Sequence, residues 1–197
     1  MMTHPGKKLT FMSSEIGQFR EWDYAGAVEW FLLDYEKHAK LQFFVAELNR
    51  FYLSVPALWQ KDTDWLGGFE WIDADNREQS ILSYRRKDAE GKELVILLNF
   101  LPVERADFLL AVPCAGWYEE VFNSDAAEYG GTGIRNPGSH RTEKALLRNY
   151  GNAIRIHVPP MAAVMFRMTR KAPAERPRKS VRSGKSGKSG KSGKSGK

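Results

Sequence analysis

The chain has 197 residues, 42% of them hydrophobic and 12% aromatic, enough to bury a sizeable core as one domain or two small ones. No apolar run approaches the roughly 20 residues of a membrane-spanning helix, and "MMTHPGKK" leads into no signal-type apolar stretch, so a cytoplasmic location is expected. The net charge of +6 is unevenly placed, because residues 171–197 hold ten Lys and Arg against Glu175 alone, leaving 20 basic and 23 acidic residues before them.

Taken in chain order, "KKLTFM" (residues 7–12) reads as a short strand that delivers the polar and aromatic loop "SSEIGQFREW" from its C-terminal end. Strand-to-loop delivery of this kind is how α/β barrels assemble active sites. "GAVEWFLLDY" has no clear period. "EKHAKLQFFVAELNRFYLSVPAL" then places Leu41, Phe44, Val45, Leu48, Phe51 and Tyr52 at helical offsets, which predicts an amphipathic helix ending at residues 54–56, where Pro56 stops it. Beyond it the pattern switches to seven short strands: "GFEWID", "QSILSYRR", "ELVILLNF", "DFLLAV", "GWYEEVF", "AIRIHV" and "AAVMFRM". The connections are rich in Gly, Pro, Asn and Asp, and this spacing predicts an antiparallel sandwich. The lone strand and the helix stripe both call for further strands to cover them, so the start of the chain reads as the interior of a larger domain.

Few residues carry chemistry by themselves. Cys114 has no thiol partner and reads as a buried small hydrophobe. His4, His38, His140 and His157 are scattered without metal-ligand spacing, and neither a metal nor a cofactor is expected. Asp73 and Asp75 read as turn formers, Trp65 and Trp71 as packing residues, and "EYGGTGIRN" as a tight loop. The tail repeats Ser-Gly-Lys five times from Ser183 to Lys197. Its "GKS" lacks the glycine spacing of a phosphate-binding loop, and nothing apolar recurs, so a disordered basic tail is expected at 171–197, binding polyanions weakly and without specificity.

The blocks "HPGKKLTFMSSEIGQFREW", "VEWFLLDYEKHAKLQFFVAELNRFY", "GFEWIDADNREQSILSYRR", "LLNFLPVER" and "GWYEEVFNSDAAEYGGTG" resemble, in order, the C-terminal portion of bacterial 1,4-α-glucan branching enzymes of the α-amylase superfamily. The resemblance implies a mainly β chain: the last strand, loop and helix of a catalytic (β/α)8 barrel in residues 1–55, an all-β antiparallel sandwich in 56–170, and the basic tail. One departure stands out, since Ser13 occupies a position where the family pattern carries glycine. Glycine there signals close approach or unusual dihedrals.

The implied chemistry cleaves an α-1,4-glucan and transfers the cut segment to a 6-hydroxyl with retention, as in glycogen synthesis. Retention needs two carboxyl groups about 5–5.5 Å apart. In the family these acids come from barrel strands that match nothing here, so no catalytic residue is assigned and the chain alone is expected to be inactive. Glu15, Arg20, Trp22 and Trp30 are the candidate substrate-binding residues on the implied barrel rim, with Glu15 beside Arg20 expected to hold the loop. The implied partners are α-glucan or glycogen and, alternatively, a second polypeptide that completes the barrel. The β part is expected to hold its fold by itself, and residues 1–55 to be mobile without the rest of the barrel.

Overall fold

The computed structural model describes residues 1–20 and 23–173; Trp22 and nearly all of the basic tail lie outside the described residues. Nine strands form an antiparallel sandwich: β1 (Phe69–Asn76), β2 (Ile81–Lys87), β3 (Glu93–Asn99), β4 (Arg105–Val112), β5 (Gly116–Asn123), β6 (Ser139–Arg141), β7 (Glu143–Leu147), β8 (Tyr150–Val158) and β9 (Ala163–Lys171). One sheet runs β1-β2-β3-β9-β5-β6 and the other β4-β8-β7. The seven strands expected after the helix are all present.

The two additional strands, β6 and β7, escaped the sequence pattern because they are short and mostly solvent-facing, with no apolar alternation to betray them. The β7–β8 hairpin turns on Arg148 and Asn149, both at positive φ (48° and 69°), with Leu147 opposite Tyr150. That is the geometry of a two-residue primed turn, built here without glycine.

β3 reads ELVILLN, a continuous apolar run, and Leu94, Val95, Ile96 and Leu97 are all buried. A run of this kind fits a strand covered on both faces. Val95 and Leu97 join Val164 and Phe166 in facing Leu110, Val112, Ile154 and Ile156 of the small sheet. Leu94 and Ile96 join Tyr84, Phe122 and Met165 on the outer face, which is covered by α1 (Glu36–Ser54) through Phe44, Leu48, Phe51 and Tyr52. Phe51 lies 4.9 Å from Phe122, and Phe44 lies 5.3 Å from Tyr129. The stripe of α1 therefore meets a sheet within this chain.

Residues 7–12 are a correction to the expected strand. They pair with no strand among the described residues, and Leu9 and Phe11 are 73% and 55% exposed. Local contacts hold the backbone instead, Lys8 Nζ donating to the carbonyls of His4 and Gly6 at 2.6 Å. Trp71, expected to pack, does so on one side only: it stands edge-on to Phe69 and Tyr84 and remains 43% exposed. Asp73 lies in β1 rather than in a turn, pairing with Arg148 at 3.0 Å, while Asp75 pairs with Arg77 at 2.7 Å. Cys114 is half-buried, not buried.

Two polar networks tie these layers together. Arg86 is wholly buried and donates to the carbonyls of Thr3 (2.9 Å), Leu58 (3.2 Å) and Gly68 (3.2 Å) and to Asp62 Oδ1 (2.5 Å). The hydroxyls of Thr3 and Tyr84 share a hydrogen bond of 2.5 Å beside it. Across the sandwich, Glu70 accepts from Tyr150 Oη and from Arg85, both at 2.5 Å, and Arg85 also pairs with Glu93 at 2.8 Å.

Desolvation pushes the Glu70 carboxyl up, but the hydrogen bonds from Tyr150 and Arg85 and the nearby positive charges outweigh it and hold the group at about 2, below its ordinary 4.5. A depressed carboxylate stabilises the fold above its unfolded value, and that contribution is lost as pH falls from about 5 through about 2. The full shift corresponds to roughly 3 kcal/mol; with the side chain 43% exposed, solvent screening leaves about 1 kcal/mol. Urea titrations at pH 7 and pH 3 should therefore show Tyr150→Phe narrowing the gap in stability between the two pH values; an unchanged gap would remove the Tyr150–Glu70 hydrogen bond as its source.

Candidate functional site

The candidate loop begins with strained backbone. Met12 and Ser13 take φ of 47° and 60°, and a one-turn 3-10 helix (Ser14–Ile16) follows, closed by Gly17 at φ 67°. A Cβ on Gly17 would stand 3.0 Å from Leu41 Cδ2 and 3.4 Å from His38 Nδ1, so the glycine lets the loop rest against α1. His38 Nδ1 donates to the Ile16 carbonyl at 2.7 Å, which fixes the ring. Ile16 is fully buried beneath it.

Ser13 is left-handed where the resemblance places glycine, and a left-handed L-residue costs roughly 1–2 kcal/mol. Ser13→Gly removes that cost while loosening the unfolded chain by about 0.5–1 kcal/mol, so a net gain of about 0.5–1 kcal/mol is expected in a thermal melt. A loss of stability would mean that the Ser13 hydroxyl contributes more than the backbone strain.

Arg20 organises the next stretch. It pairs with Asp23 at 3.0 Å and Glu29 at 3.3 Å, and the Glu29 N–H donates to Gln18 Oε1 at 3.1 Å. Glu15 was expected beside Arg20. It is half-buried and makes no ion pair among the described residues, because Asp23 and Glu29 already take the guanidinium. Trp30 opens a 3-10 helix (Trp30–Asp34) with its side chain 59% exposed. Of the four candidates, then, Arg20 is held in an ion-pair network, Glu15 and Trp30 stand outside it, and Trp22 is not among the described residues.

Beside this stretch opens a hollow of about 540 Å3 lined by Phe19, Phe31, Leu32, Tyr35 and His38. Phe19 and Tyr35 stand edge-on to the His38 ring at 5.2 and 6.4 Å. Exposed aromatic faces beside polar groups suit stacking and hydrogen bonding to a ligand, and nothing in the hollow supplies two free carboxylates for a double displacement. Among the described residues no group of three or more His, Cys, Asp or Glu is placed to hold a metal ion. No helix among them is long and apolar enough to cross a membrane.

A second organised loop lies on the sandwich. Asp125 accepts from the Thr132 N–H (2.9 Å), the Thr132 hydroxyl (2.5 Å) and the Ile134 N–H (3.1 Å), closing "EYGGTG" on itself. A Cβ on Gly131 would meet the Asp125 carbonyl oxygen at 2.2 Å, so only glycine fits. Tyr129 from this loop reaches Phe43 and Phe44 of α1. Sequence reasoning saw the loop but missed Asp125, Arg86 and His38, whose partners lie far along the chain or in the backbone.

Comparison with known proteins places this architecture. The family described as "Alpha amylase, C-terminal all-beta domain" matches residues 71–169. The chain is 42% identical over 168 residues to the 1,4-alpha-glucan branching enzyme GlgB of Parasynechococcus marenigrum, covering 85% of this chain and 22% of that protein. It is 44% identical over 168 residues to the GlgB of Halothermothrix orenii, covering 85% and 26%. The chain thus spans about a quarter or less of the length of these curated relatives. Among solved structures, the catalytic module of the pneumococcal glycogen-degrading protein SpuA superposes with a TM-score of 0.45 at 15% identity, over 72% of this chain and 20% of that one, too loosely to carry an argument. On the sandwich and these matches, the chain belongs to the alpha amylase C-terminal all-beta domain family, with 1,4-alpha-glucan branching enzymes as its relatives.

Proposed function

We propose that this chain is the C-terminal part of a 1,4-α-glucan branching enzyme and is inactive alone. The observation that carries this reading is the reach of the similarity: it covers 85% of the chain and so extends well upstream of the all-β segment at 71–169. On this reading, residues 1–55 belong to the catalytic barrel, 56–170 form the accessory sandwich, and the reacting carboxylates are supplied by barrel residues outside this sequence. The distribution of apolar surface supports it. Among the described residues, thirteen of the seventeen exposed large hydrophobics fall at or before Trp71, including Phe19, Trp30, Phe31 and Tyr35. Surface of that kind marks a face meant to be covered.

Glu15, Arg20 and Trp30 then line the glucan side of the rim, the carboxylate and guanidinium bonding hydroxyls and the indole stacking on a sugar face; Trp22, the fourth candidate, lies outside the described residues. A second reading, a non-catalytic glucan-binding or barrel-completing partner, draws on the aromatic hollow beside His38.

The test is to incubate the chain with amylose and count branch points after enzymatic debranching, then to repeat it with the chain joined behind the upstream portion of the Halothermothrix orenii relative. No branching from the chain alone and branching from the joined protein are expected. Branching by the chain alone, or a folded but inert joined protein, would overturn the proposal. Retardation of the isolated chain in a glycogen-containing gel would favour the second reading.

A further inference from the structure

Between the two sheets, beside the edge strand β1, opens a cleft of about 410 Å3. Ser83 lies in its wall. Ile81, two residues earlier on β2, belongs to the core between the sheets, and the alternation of a strand turns Ser83 to the same face. Ser83 is only 3% exposed, yet its hydroxyl makes no hydrogen bond among the described residues. A hydroxyl withdrawn from bulk water without a partner is costly, and here it is offered to whatever fills the cleft.

The backbone of β1 is shaped around the same space. Its register against β2 breaks between Trp71 and Asp73 and again between Asp73 and Asn76. In an unbroken strand Ile72 and Asp73 would face opposite sides; with the break, both line the cleft, and Asp73 stands opposite Ser83. Asp73 pairs with Arg148 at 3.0 Å, so the two charges cancel. Asn76 Nδ2 donates to Gln79 Oε1 at 2.8 Å. That bond leaves Asn76 Oδ1 as an acceptor and Gln79 Nε2 as a donor, neither with a partner among the described residues. Ile72, Phe108 and Leu110 supply an apolar wall, and Leu146, 85% exposed, stands at the mouth.

The structure assigns to this cleft the binding of a neutral sugar ring, a single pyranose either free or at the end of a glucan chain. Three observations select that chemistry. The only charges lining the cleft neutralise each other, so neither an anion nor a cation is favoured. Donors and acceptors are spread over β1, β2, the turn between them and the turn into β8. That distribution suits hydroxyls around the whole circumference of a ring better than the single polar edge of a flat heterocycle. Phe108 is the one aromatic in the lining, so a planar ring system would find no second face to stack on, whereas the C–H face of a sugar packs against an aliphatic wall. The volume falls within the roughly 300–1,000 Å3 of small-molecule sites. The cleft lies on the sandwich, apart from the hollow beside His38, and the assignment does not depend on the branching-enzyme reading.

The experiment is saturation-transfer NMR of the full 197-residue chain with glucose, maltohexaose, glucuronate or glucosamine, titrated to about 100 mM to cover the millimolar range of so small a site. A neutral sugar should saturate the cleft, with the charged analogues roughly tenfold weaker because their charge would be desolvated without a free partner. Ser83→Ala removes one hydrogen bond and should weaken binding roughly fivefold. Gln79→Ala, which leaves the backbone carbonyl that accepts from Arg105 in place, should do likewise. Phe19→Ala, in the other hollow, should leave the affinity unchanged. Matching near-ultraviolet circular dichroism of the variants and wild type would establish that the fold is kept. Saturation by glucose as readily as by maltohexaose would identify a free sugar as the ligand, and saturation by maltohexaose alone a chain end. No saturation by either neutral sugar, or affinities unchanged in both Ser83→Ala and Gln79→Ala, would overturn the proposal, as would a charged analogue binding as well as the neutral sugars. Loss of binding in Phe19→Ala alone would place the sugar beside His38 instead and overturn it equally.

Discussion

Residues 69–173 expressed without the first 68 are expected to lose the cooperative fold that residues 1–173 possess, which replaces the sequence-based expectation that the β part holds its fold by itself. The reason is the outer face of the six-stranded sheet. Tyr84, Leu94, Ile96, Met165 and Phe122 are between 0% and 9% exposed only because α1 and the Pro56–Leu58 turn lie over them. Each such side chain contributes about 1.5–3 kcal/mol when removed from water, so uncovering five of them forfeits at most about 15 kcal/mol. That is of the order of the whole stability of a small domain. Urea unfolding of the two chains, with dye binding to report exposed apolar surface, is the measurement. Equal midpoints would show that α1 rests on the sandwich without supporting it. The result bears on the domain boundary expected near residue 56, since the same truncation removes both α1 and the Arg86 contacts to Thr3, Leu58 and Asp62.

Arg86→Met is expected to destabilise the chain by about 3–5 kcal/mol, the range for removing one member of a buried ion pair. Methionine fills most of the space, so the loss is not chiefly a cavity. It is the three carbonyls, satisfied by one guanidinium at 2.9–3.2 Å, that would be left without a donor, while the Asp62 carboxylate, 19% exposed, would keep only Lys8 at 3.6 Å. Arg86→Lys should recover little, because a single ammonium does not reproduce a planar fork reaching four acceptors on three segments. The double variant Arg86→Met/Asp62→Leu is the informative control: by removing a carboxylate left with Lys8 as its remaining ion pair it should restore a small part of the loss. A single variant within about 1 kcal/mol of wild type would indicate that water reaches the site and replaces the arginine.

Much of the architecture was legible in the chain itself. The helical spacing of Phe44, Leu48, Phe51 and Tyr52 located α1 to within a residue or two of Glu36–Ser54. Apolar runs bounded by Gly, Pro, Asn and Asp located seven of the nine strands. Both signals are local, arising from side-chain periodicity against a single buried face. β6 and β7 carried no such signal, being short and exposed, and their turn at Arg148 and Asn149 uses no glycine.

The unusual residue at position 13 was legible as well, and the structure gives it a left-handed backbone. Its neighbours were not. Arg20 was expected to meet Glu15 because they are close in sequence, yet the guanidinium is taken by Asp23 and Glu29. Partner choice among several nearby carboxylates depends on distances of a few ångströms, which residue order does not encode.

The sequence by itself determined α1 and seven of the nine strands, the family resemblance and the concentration of positive charge at the C-terminal end, because periodicity, motif order and composition are properties of the chain. The tertiary structure alone decided that α1 covers the outer face of the six-stranded sheet, that residues 7–12 pair with no strand, that Arg86 joins three segments, and that Asp73 and Arg148 meet at one cleft. Each of these depends on residues brought together across 24 to 83 positions of sequence or on an edge that does or does not find a partner. Such contacts are fixed by the packing of whole layers, where burial of both faces of β3 leaves only one place for the helix to lie.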